Sequence, residues 1–312
     1  MAENTRMIDK RYDVVIIGGG PAGLSAAIYC SRGRLSTLLL ERALVGGQIV
    51  NAEQVDNYPG FPTGINGLEL TQQMHCQADR YGLETVYAEA TALELCGTQK
   101  LVSTTEGIYT ARAVIIACGS QRQKLGIPGE DEFTGKGVSY CATCDAAFFR
   151  DKTVALVGGG NAALSEALHL SRFADRVIVI HRRERLRATP VVQEKAFATG
   201  NIEFRLNAVV TAIEGEEFVS RVKLRHVGSG EESYLPVSGI FIAIGFKPNT
   251  DFLRGLLPLD EKGAVITGDG MQTAISGIFA AGDIRRNSIR QVIAAAGDGA
   301  IAAVSAEKYL TE

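Results

Sequence analysis

Cys141-Ala142-Thr143-Cys144-Asp145 brings two thiols and a carboxylate into five consecutive residues. Two cysteines two residues apart can close a small disulfide ring, and opening so small a ring releases little folding stability, so the pair can cycle. Exchange needs a thiolate to attack and a proton for the departing sulfur, and an acid at the pair can supply that proton. Asp145 also suits the N-cap of a helix in the segment that follows, and the two roles are compatible. A zinc site on Cys141 and Cys144 would need two more ligands. The four histidines, at 75, 169, 181 and 226, offer no second closely spaced pair, so no metal is expected.

The elements that must position this pair announce themselves on either side of it. Gly18-Gly19-Gly20-Pro21-Ala22-Gly23 follows the apolar run Val14 to Ile17, and Gly158-Gly159-Gly160-Asn161-Ala162-Ala163 follows Val154 to Val157. Each fits a strand handing over to a helix through a dinucleotide fingerprint, G-x-G-x-x-G in the first and its G-x-G-x-x-A variant in the second. The first glycine takes a tight turn, the second lets a pyrophosphate approach the main chain, the third small residue lets helix and strand pack closely, and the helix N-terminus receives negative charge. One such turn also arises for packing alone. Sliding the chain on itself until Gly18 falls on Gly158 also superposes Leu24 on Leu164, Ser25 on Ser165 and Arg32 on Arg172, which marks an internal duplication. Together with the cysteines, this reads as a redox disulfide fed by nucleotide cofactors.

The two copies diverge at the residue that should read the ribose. Glu41 stands at the end of the second strand of the first copy, where a carboxylate accepts from both ribose hydroxyls and disfavours a phosphate. At the same register the second copy opens His181-Arg182-Arg183-Glu184-Arg185-Leu186-Arg187. The guanidinium groups of Arg182, Arg183 and Arg187 offer permanently charged planar donors to a 2′-phosphate, so the second copy is expected to prefer NADPH over NADH. A solvated basic loop is the bland alternative.

At 312 residues, 46% apolar and 21% charged, the chain has the length for two domains and the composition of a globular enzyme. A net charge of −3 and a pI near 5.9 argue against nucleic acid as a partner. Met1 to Tyr12 is polar and no run approaches the ~18 apolar residues of a membrane span, so no membrane association and a cytoplasmic location are expected. Six cysteines are too few and too scattered for a secreted disulfide framework. The patterns predict an α/β protein of two Rossmann-like, three-layer ββα, dinucleotide-binding domains, the second inserted in the first. Residues 1–121 and 248–312 form one domain, and residues 122–247 form the other and carry the CxxC. Residues 12–41 make a βαβ unit, 42–67 a long loop, 68–81 a helix, and Ala113 to Gly119 a buried strand. Thr189 and Pro190 open a helix, and a long apolar helix begins near Ile289.

These residues, with Gly46-Gly47-Gln48, Asn57-Tyr58-Pro59-Gly60, Leu125 to Glu130, Ala281-Gly282-Asp283 and Arg290-Gln291, resemble the low-molecular-weight, bacterial-type thioredoxin reductases over nearly the whole chain. Those enzymes belong to the FAD- and NADPH-dependent pyridine nucleotide-disulfide oxidoreductases. The resemblance implies that FAD contacts Gly18, Gly20, Pro21, Ala22, Gly23, Glu41, Gly47, Gln48, Asn57, Gly119, Gly282, Asp283, Arg290, Gln291 and Val292. It implies that NADPH contacts Gly158, Gly160, Asn161, Ala162, Ala163, His181, Arg182, Arg183, Arg187 and Gly245. It further implies that Cys144 faces the flavin, that Cys141 attacks the disulfide of thioredoxin or a similar small redoxin, that Asp145 donates a proton, and that the protein is a homodimer. One flavin serving two sites on the inserted domain implies rotation at crossovers near 119–123 and 245–249.

Two positions depart from the family pattern: Ala146 replaces a glycine, which is expected to stiffen the turn that aims Asp145, and Cys118 replaces a threonine. Cys118, Cys30, Cys76 and Cys96 read as structural or incidental thiols. His75, His169 and His226 read as surface or satisfied packing residues. Reduction of another redoxin or a peroxiredoxin is the nearest alternative function. An FAD-dependent dithiol oxidase is a further one, although such an enzyme has no use for the arginine cluster.

Overall fold

The computed structural model describes residues 7–52, 54–253 and 255–312; residues 1–6, half of the polar opening Met1 to Tyr12, lie outside the described residues. Two compact units emerge, Met1–Gln121 with Lys247–Glu312, and Arg122–Phe246. The first opens with β1 (Met7–Ile17), which passes through the glycine turn into α1 (Pro21–Arg32) and returns as β2 (Thr37–Glu41). β1 begins earlier than the apolar pattern alone suggests, because Met7 and Arg11 still find partners on a neighbouring strand across a bulge. The helix α2 (Gly67–Asp79) is capped by Asn66, whose side chain accepts from the N–H groups of Leu68 and Glu69. Then come β3 (Glu84–Tyr87), β4 (Ala90–Cys96), β5 (Gln99–Thr104), β6 (Ile108–Ile116) and β7 (Ser120–Arg122).

The second unit carries β8 (Val138–Ser139), α3 (Ala142–Asp145), β9 (Thr153–Val157), α4 (Asn161–Leu170), β10 (Arg176–His181), α5 (Pro190–Ala198) and β11 (Ile202–Leu206). An antiparallel group, β12 (Ala208–Gly215), β13 (Val219–His226) and β14 (Glu232–Pro236), precedes β15 (Gly239–Ile242). The chain leaves through β16 (Phe246–Pro248), which pairs with β7, and completes the first unit with β17 (Ile278–Ala280) and α6 (Val292–Thr311). Arg290 has φ +56° and Gln291 is extended, so α6 cannot begin at Ile289 as its apolar pattern suggests.

Each unit is a sheet covered on both faces, which is why its strands read as continuous apolar runs. β3, β2, β1 and β6 lie parallel, with β17 parallel to the end of β6 and β5–β4 antiparallel beyond its start. Alternate residues of β1 divide the core: Val14 and Ile16 pack with Ala26, Ala302 and Ala306, and Val15 and Ile17 pack with Leu93, Val102 and Leu253. In the second unit β11, β10, β9, β15 and β8 are parallel, with Leu156 and Val179 facing Leu164 and Leu170 of α4, and Ala155 and Ile178 facing Val210, Val222 and Leu224 of the antiparallel group. Both units are three-layer, Rossmann-like and α/β.

The duplication extends to individual hydrogen bonds. Gly18 N–H donates to Leu40 O and Gly158 N–H to Ile180 O; Ala117 N–H donates to Ile17 O and Ala243 N–H to Val157 O. The first turn tolerates no side chain at two of its glycines. Gly18 takes φ +106°, and a Cβ on Gly23 would lie 1.8 Å from Gly18 O. Gly23→Ala is therefore expected to lower the melting temperature by on the order of 10 °C or more, since a backbone clash cannot relax by a rotamer change. A Cβ on Gly20 would meet only Gly47 Cα, at 4.0 Å, an ordinary contact, and Gly20→Ala should cost only about 1 kcal/mol; thermal unfolding of the two variants separates them.

Candidate redox and nucleotide sites

Cys141 and Cys144 are joined in a disulfide, with Cα atoms 5.3 Å apart, at the start of α3. Cys141 is the N-cap: its Sγ accepts from Cys144 N–H at 3.2 Å, a bond that favours negative charge on that sulfur once the disulfide opens. Asp145 does not cap. It stands at the N-cap of the short 3-10 turn Ala146–Phe149 but makes no side-chain capping bond there. Its Oδ2 instead accepts from the Ser139 hydroxyl at 2.5 Å, and Ser139 Oγ in turn accepts from Cys141 N–H at 3.1 Å. Ser139 is 5% exposed at the end of β8, so it is a fixed bracket between the acid and the redox pair. Burial raises the Asp145 carboxyl above the usual range, while the Ser139 hydrogen bond and the charge of Arg122 pull it down. Arg122 lies over the Tyr140 ring, 5.4 Å from its centroid, and Tyr140 O–H donates to buried Glu130, which also accepts from Leu125 and Gly126 N–H. Ala146 has φ −54° and ψ −35°, right-handed helical backbone that any residue adopts, so loss of the family's glycine imposes no strain on this turn.

In the first unit Glu41 Oε2 accepts from Gly19 N–H at 2.7 Å and its Oε1 from Ala43 N–H at 3.0 Å. Gly46 N–H returns to Gly19 O, and Gly47 faces Gly20 across the N-terminus of α1, whose first turn holds Pro21 and Ala22. Gln48 donates to Ser120 O; Asn57 Nδ2 donates to Gln291 Oε1 at 3.0 Å; and Gly282 packs on Ala22, where a Cβ would come within 2.9 Å. Asp283 accepts from the Ser288 hydroxyl, Arg290 N–H donates to the same hydroxyl, and Val292 starts α6. The loops from residues 46–57 and 282–292 thus gather around one helix N-terminus. Gly119 lies at the crossover, where its carbonyl accepts from Asn249 N–H. Beside it Cys118 donates to Ile17 O at 3.3 Å, and burial pushes its thiol up to about 12, which leaves little thiolate to react. Cys30 is likewise pushed up to about 12 by burial.

The second unit repeats the plan with different chemistry. The His181 ring covers Gly159, where a Cβ would lie 2.3 Å from Nδ1, so the middle glycine of each turn meets the residue that ends the second strand. Arg187 N–H donates to Gly159 O at 2.6 Å, as Gly46 does to Gly19. Gly160 is open, Ala163 closes on Gly158, and Asn161 Oδ1 accepts from Thr189 N–H at 2.7 Å across Ala162 and the first turn of α4. His181 is 5% exposed and its Nε2 has no partner, an orphaned buried polar atom beside the glycine turn. Desolvation lowers its pKa, a hydrogen bond to the Arg185 backbone opposes this, and the charges of Arg187, Arg183 and Arg182 add to the lowering. Gly245 O accepts from Gln123 N–H at the crossover. Among the described residues no three His, Cys, Asp or Glu side chains gather as a metal site requires, and no helix is long and apolar enough to cross a membrane.

The model of the pyridine nucleotide-disulphide oxidoreductases matches residues 12–299. The chain belongs to that family. Within it, a thioredoxin reductase of Streptomyces coelicolor is 46% identical over 307 residues, covering 97% of this chain and 95% of the relative. One of Bacillus subtilis is 46% identical over 305 residues, covering 97% and 96%. The solved thioredoxin reductase of Streptococcus pyogenes superposes with a TM-score of 0.93 at 42% identity, covering 97% of this chain and 99% of that one. The chain is thus an oxidoreductase of this family. Sequence reasoning missed Ser139 and Arg122; the available signal for Ser139 was a hydroxyl just before the first cysteine, at the end of an apolar strand.

Proposed function

We propose that this protein reduces the disulfide of thioredoxin or a similar small redoxin with electrons from NADPH, passed through FAD on the first unit and the Cys141–Cys144 disulfide on the second. The carrying observation is the bonded cysteine pair with a half-buried acid held to it by Ser139. The residues fit both groups. Open Gly20 and Gly160 leave room for a pyrophosphate at each helix N-terminus, Glu41 suits a free 2′-hydroxyl, and the orphaned His181 Nε2 with its arginines suits a phosphorylated ribose. FAD, when bound, supplies the two-electron carrier between a nicotinamide and a disulfide. FAD would be held by Gly18, Gly20, Pro21, Ala22, Gly23, Glu41, Gly47, Gln48, Asn57, Gly119, Gly282, Asp283, Arg290, Gln291 and Val292. NADPH would be held by Gly158, Gly160, Asn161, Ala162, Ala163, His181, Arg182, Arg183, Arg187 and Gly245.

Two electrons and a proton open the Cys141–Cys144 bond. Cys141 Sγ attacks the redoxin disulfide; one redoxin sulfur leaves and takes its proton from Asp145. Cys144 Sγ then attacks Cys141 Sγ and expels the second redoxin sulfur, which takes the proton Cys144 held; this re-forms the protein's disulfide and releases the redoxin as a dithiol, and Asp145 regains its proton from solvent. Phe148, 58% exposed and one helical turn beyond Cys144, gives such a partner an aromatic contact beside the reacting sulfurs. Since one unit carries the FAD residues and the other carries both electron sites, the β7–β16 ribbon is the hinge on which they alternate, and a crosslink between the units should stop turnover. The proposal includes a cytoplasmic location and a homodimer that uses exposed apolar side chains of α1 and α6, among them Tyr29, Ile301 and Val304; sedimentation should give twice the 33.3 kDa chain mass.

The deciding test is reduction of thioredoxin disulfide by FAD-loaded protein with NADPH and NADH side by side. Turnover that favours NADPH supports the reading. Flavin bound without turnover from either nucleotide moves it to another redoxin or to dithiol oxidation.

A further inference from the structure

The arginines after β10 face a wall built from later segments of the chain, the start of β12 and the β13–β14 hairpin. An open cavity of about 770 Å³ has Arg182 and Arg183 on one side and Val209, Arg225, His226 and Ser229 on the other. Backbone hydrogen bonds hold the wall in place: Val227 N–H donates to Asn207 O at 2.7 Å, and Asn207 N–H donates to Arg183 O at 3.3 Å. Asn207 makes that link with φ +54°, a left-handed conformation that asparagine tolerates. Ser229 N–H donates to His226 Nδ1 at 3.0 Å, so the neutral ring carries its proton on Nε2 and keeps a donor there.

Charge in this cavity is uncompensated. On the same strand Arg221 pairs with Glu214 and Lys223 with Glu232, the residue opposite Arg225 in the ladder. Among the described residues Arg182, Arg183 and Arg225 have no carboxylate partner. Three guanidinium groups and an imidazole donor around one open cavity select a compact dianion, and Arg is the side chain whose planar fork fits phosphate. Arg187, although part of the same sequence cluster, does not line this cavity.

We infer that Arg225 and His226 of the β13–β14 hairpin form the outer half of the site for the 2′-phosphate of NADPH and are specificity-determining residues for the nucleotide; this rests on the NADPH reading given above. Arg182 and Arg183 grip the phosphate from the strand end, and the hairpin encloses it from the far side. NADH lacks the group and gains nothing from the hairpin.

Two probes separate this inference from the reading beneath it. Binding of 2′,5′-ADP and of 5′-ADP is measured by calorimetry on the FAD-loaded protein and on Arg225→Ala, Arg225→Lys and His226→Ala. In the unaltered protein 2′,5′-ADP should bind more tightly. Arg225→Ala should weaken 2′,5′-ADP roughly tenfold and leave 5′-ADP within about twofold, with partial recovery in Arg225→Lys and a smaller, equally selective loss in His226→Ala. In turnover the same variants should raise KM for NADPH and leave kcat and KM for NADH unchanged, which also shows that they fold. If the unaltered protein binds both probes equally, the NADPH reading fails and the inference falls with it. If it prefers 2′,5′-ADP and Arg225→Ala retains that preference in full, the phosphate is held without the hairpin and the inference alone is overturned.

Discussion

Cys144→Ser is expected to lower redoxin-disulfide turnover by on the order of 10³-fold or more while leaving both nucleotides bound as before. The disulfide cannot form, so no electron pair reaches Cys141; and a Cys141 sulfur that has attacked a redoxin disulfide cannot be displaced, because its resolving thiol is gone. The variant should therefore accumulate a mixed disulfide with the redoxin, visible on a non-reducing gel and absent from Cys141→Ser. Nucleotide binding should persist because the glycine turns make their contacts independently of the pair. The rival sulfur is Cys118, and its thiol, pushed up to about 12 by desolvation, predicts that Cys118→Thr changes turnover by less than about twofold. Full turnover in Cys144→Ser, or its loss in Cys118→Thr, would move the redox centre elsewhere.

What the sequence made legible was what backbone geometry obliges. A strand that enters a helix through a glycine turn must bond the neighbouring strands in one way, and so a repeat read from letters reappears as matched hydrogen bonds at Gly18 and Gly158, and at Ile17 and Val157. The same register set Glu41 opposite His181, and each meets the middle glycine of its turn. Other features leave no such mark. Arg290 at φ +56° is not glycine, so the late start of α6 was invisible, and the apolar residues before it extended the helical pattern falsely. Ser139 matters through the direction of one hydroxyl, and Arg122 through the crossover strand that carries it over Tyr140. Arg225 shares a cavity with Arg183 because Asn207 ties both segments together through backbone hydrogen bonds to Arg183 and Val227, a juxtaposition of distant segments that no local spacing encodes.

Asp145→Asn should reduce turnover by about 10²- to 10⁴-fold, the usual range for removal of a positioned acid, with nucleotide binding intact. The pH dependence gives the sharper check. Burial raises the Asp145 carboxyl, so it holds its proton to higher pH than an exposed aspartate, and turnover that needs this proton declines as pH rises through the raised value. Ser139 donates to the charged form and Arg122 attracts it, so both oppose the rise. Ser139→Ala should therefore move the declining limb to more alkaline pH, and Arg122→Ala should move it the same way; Ser139→Thr, which keeps the hydroxyl, should restore it. A role for Ser139 in packing alone would lower kcat without moving the limb. Stability follows the same sign. A carboxyl raised by folding contributes its stabilisation fully below its unfolded value, and the contribution is lost as pH rises through the folded one. Asp145→Asn, which never ionises, should accordingly be more stable relative to the unaltered protein at pH above the folded value than below it. Denaturant unfolding of both proteins across that range measures the difference, and the opposite slope would mean that Ser139 and Arg122 together outweigh burial and that Asp145 is charged when the redoxin sulfur leaves.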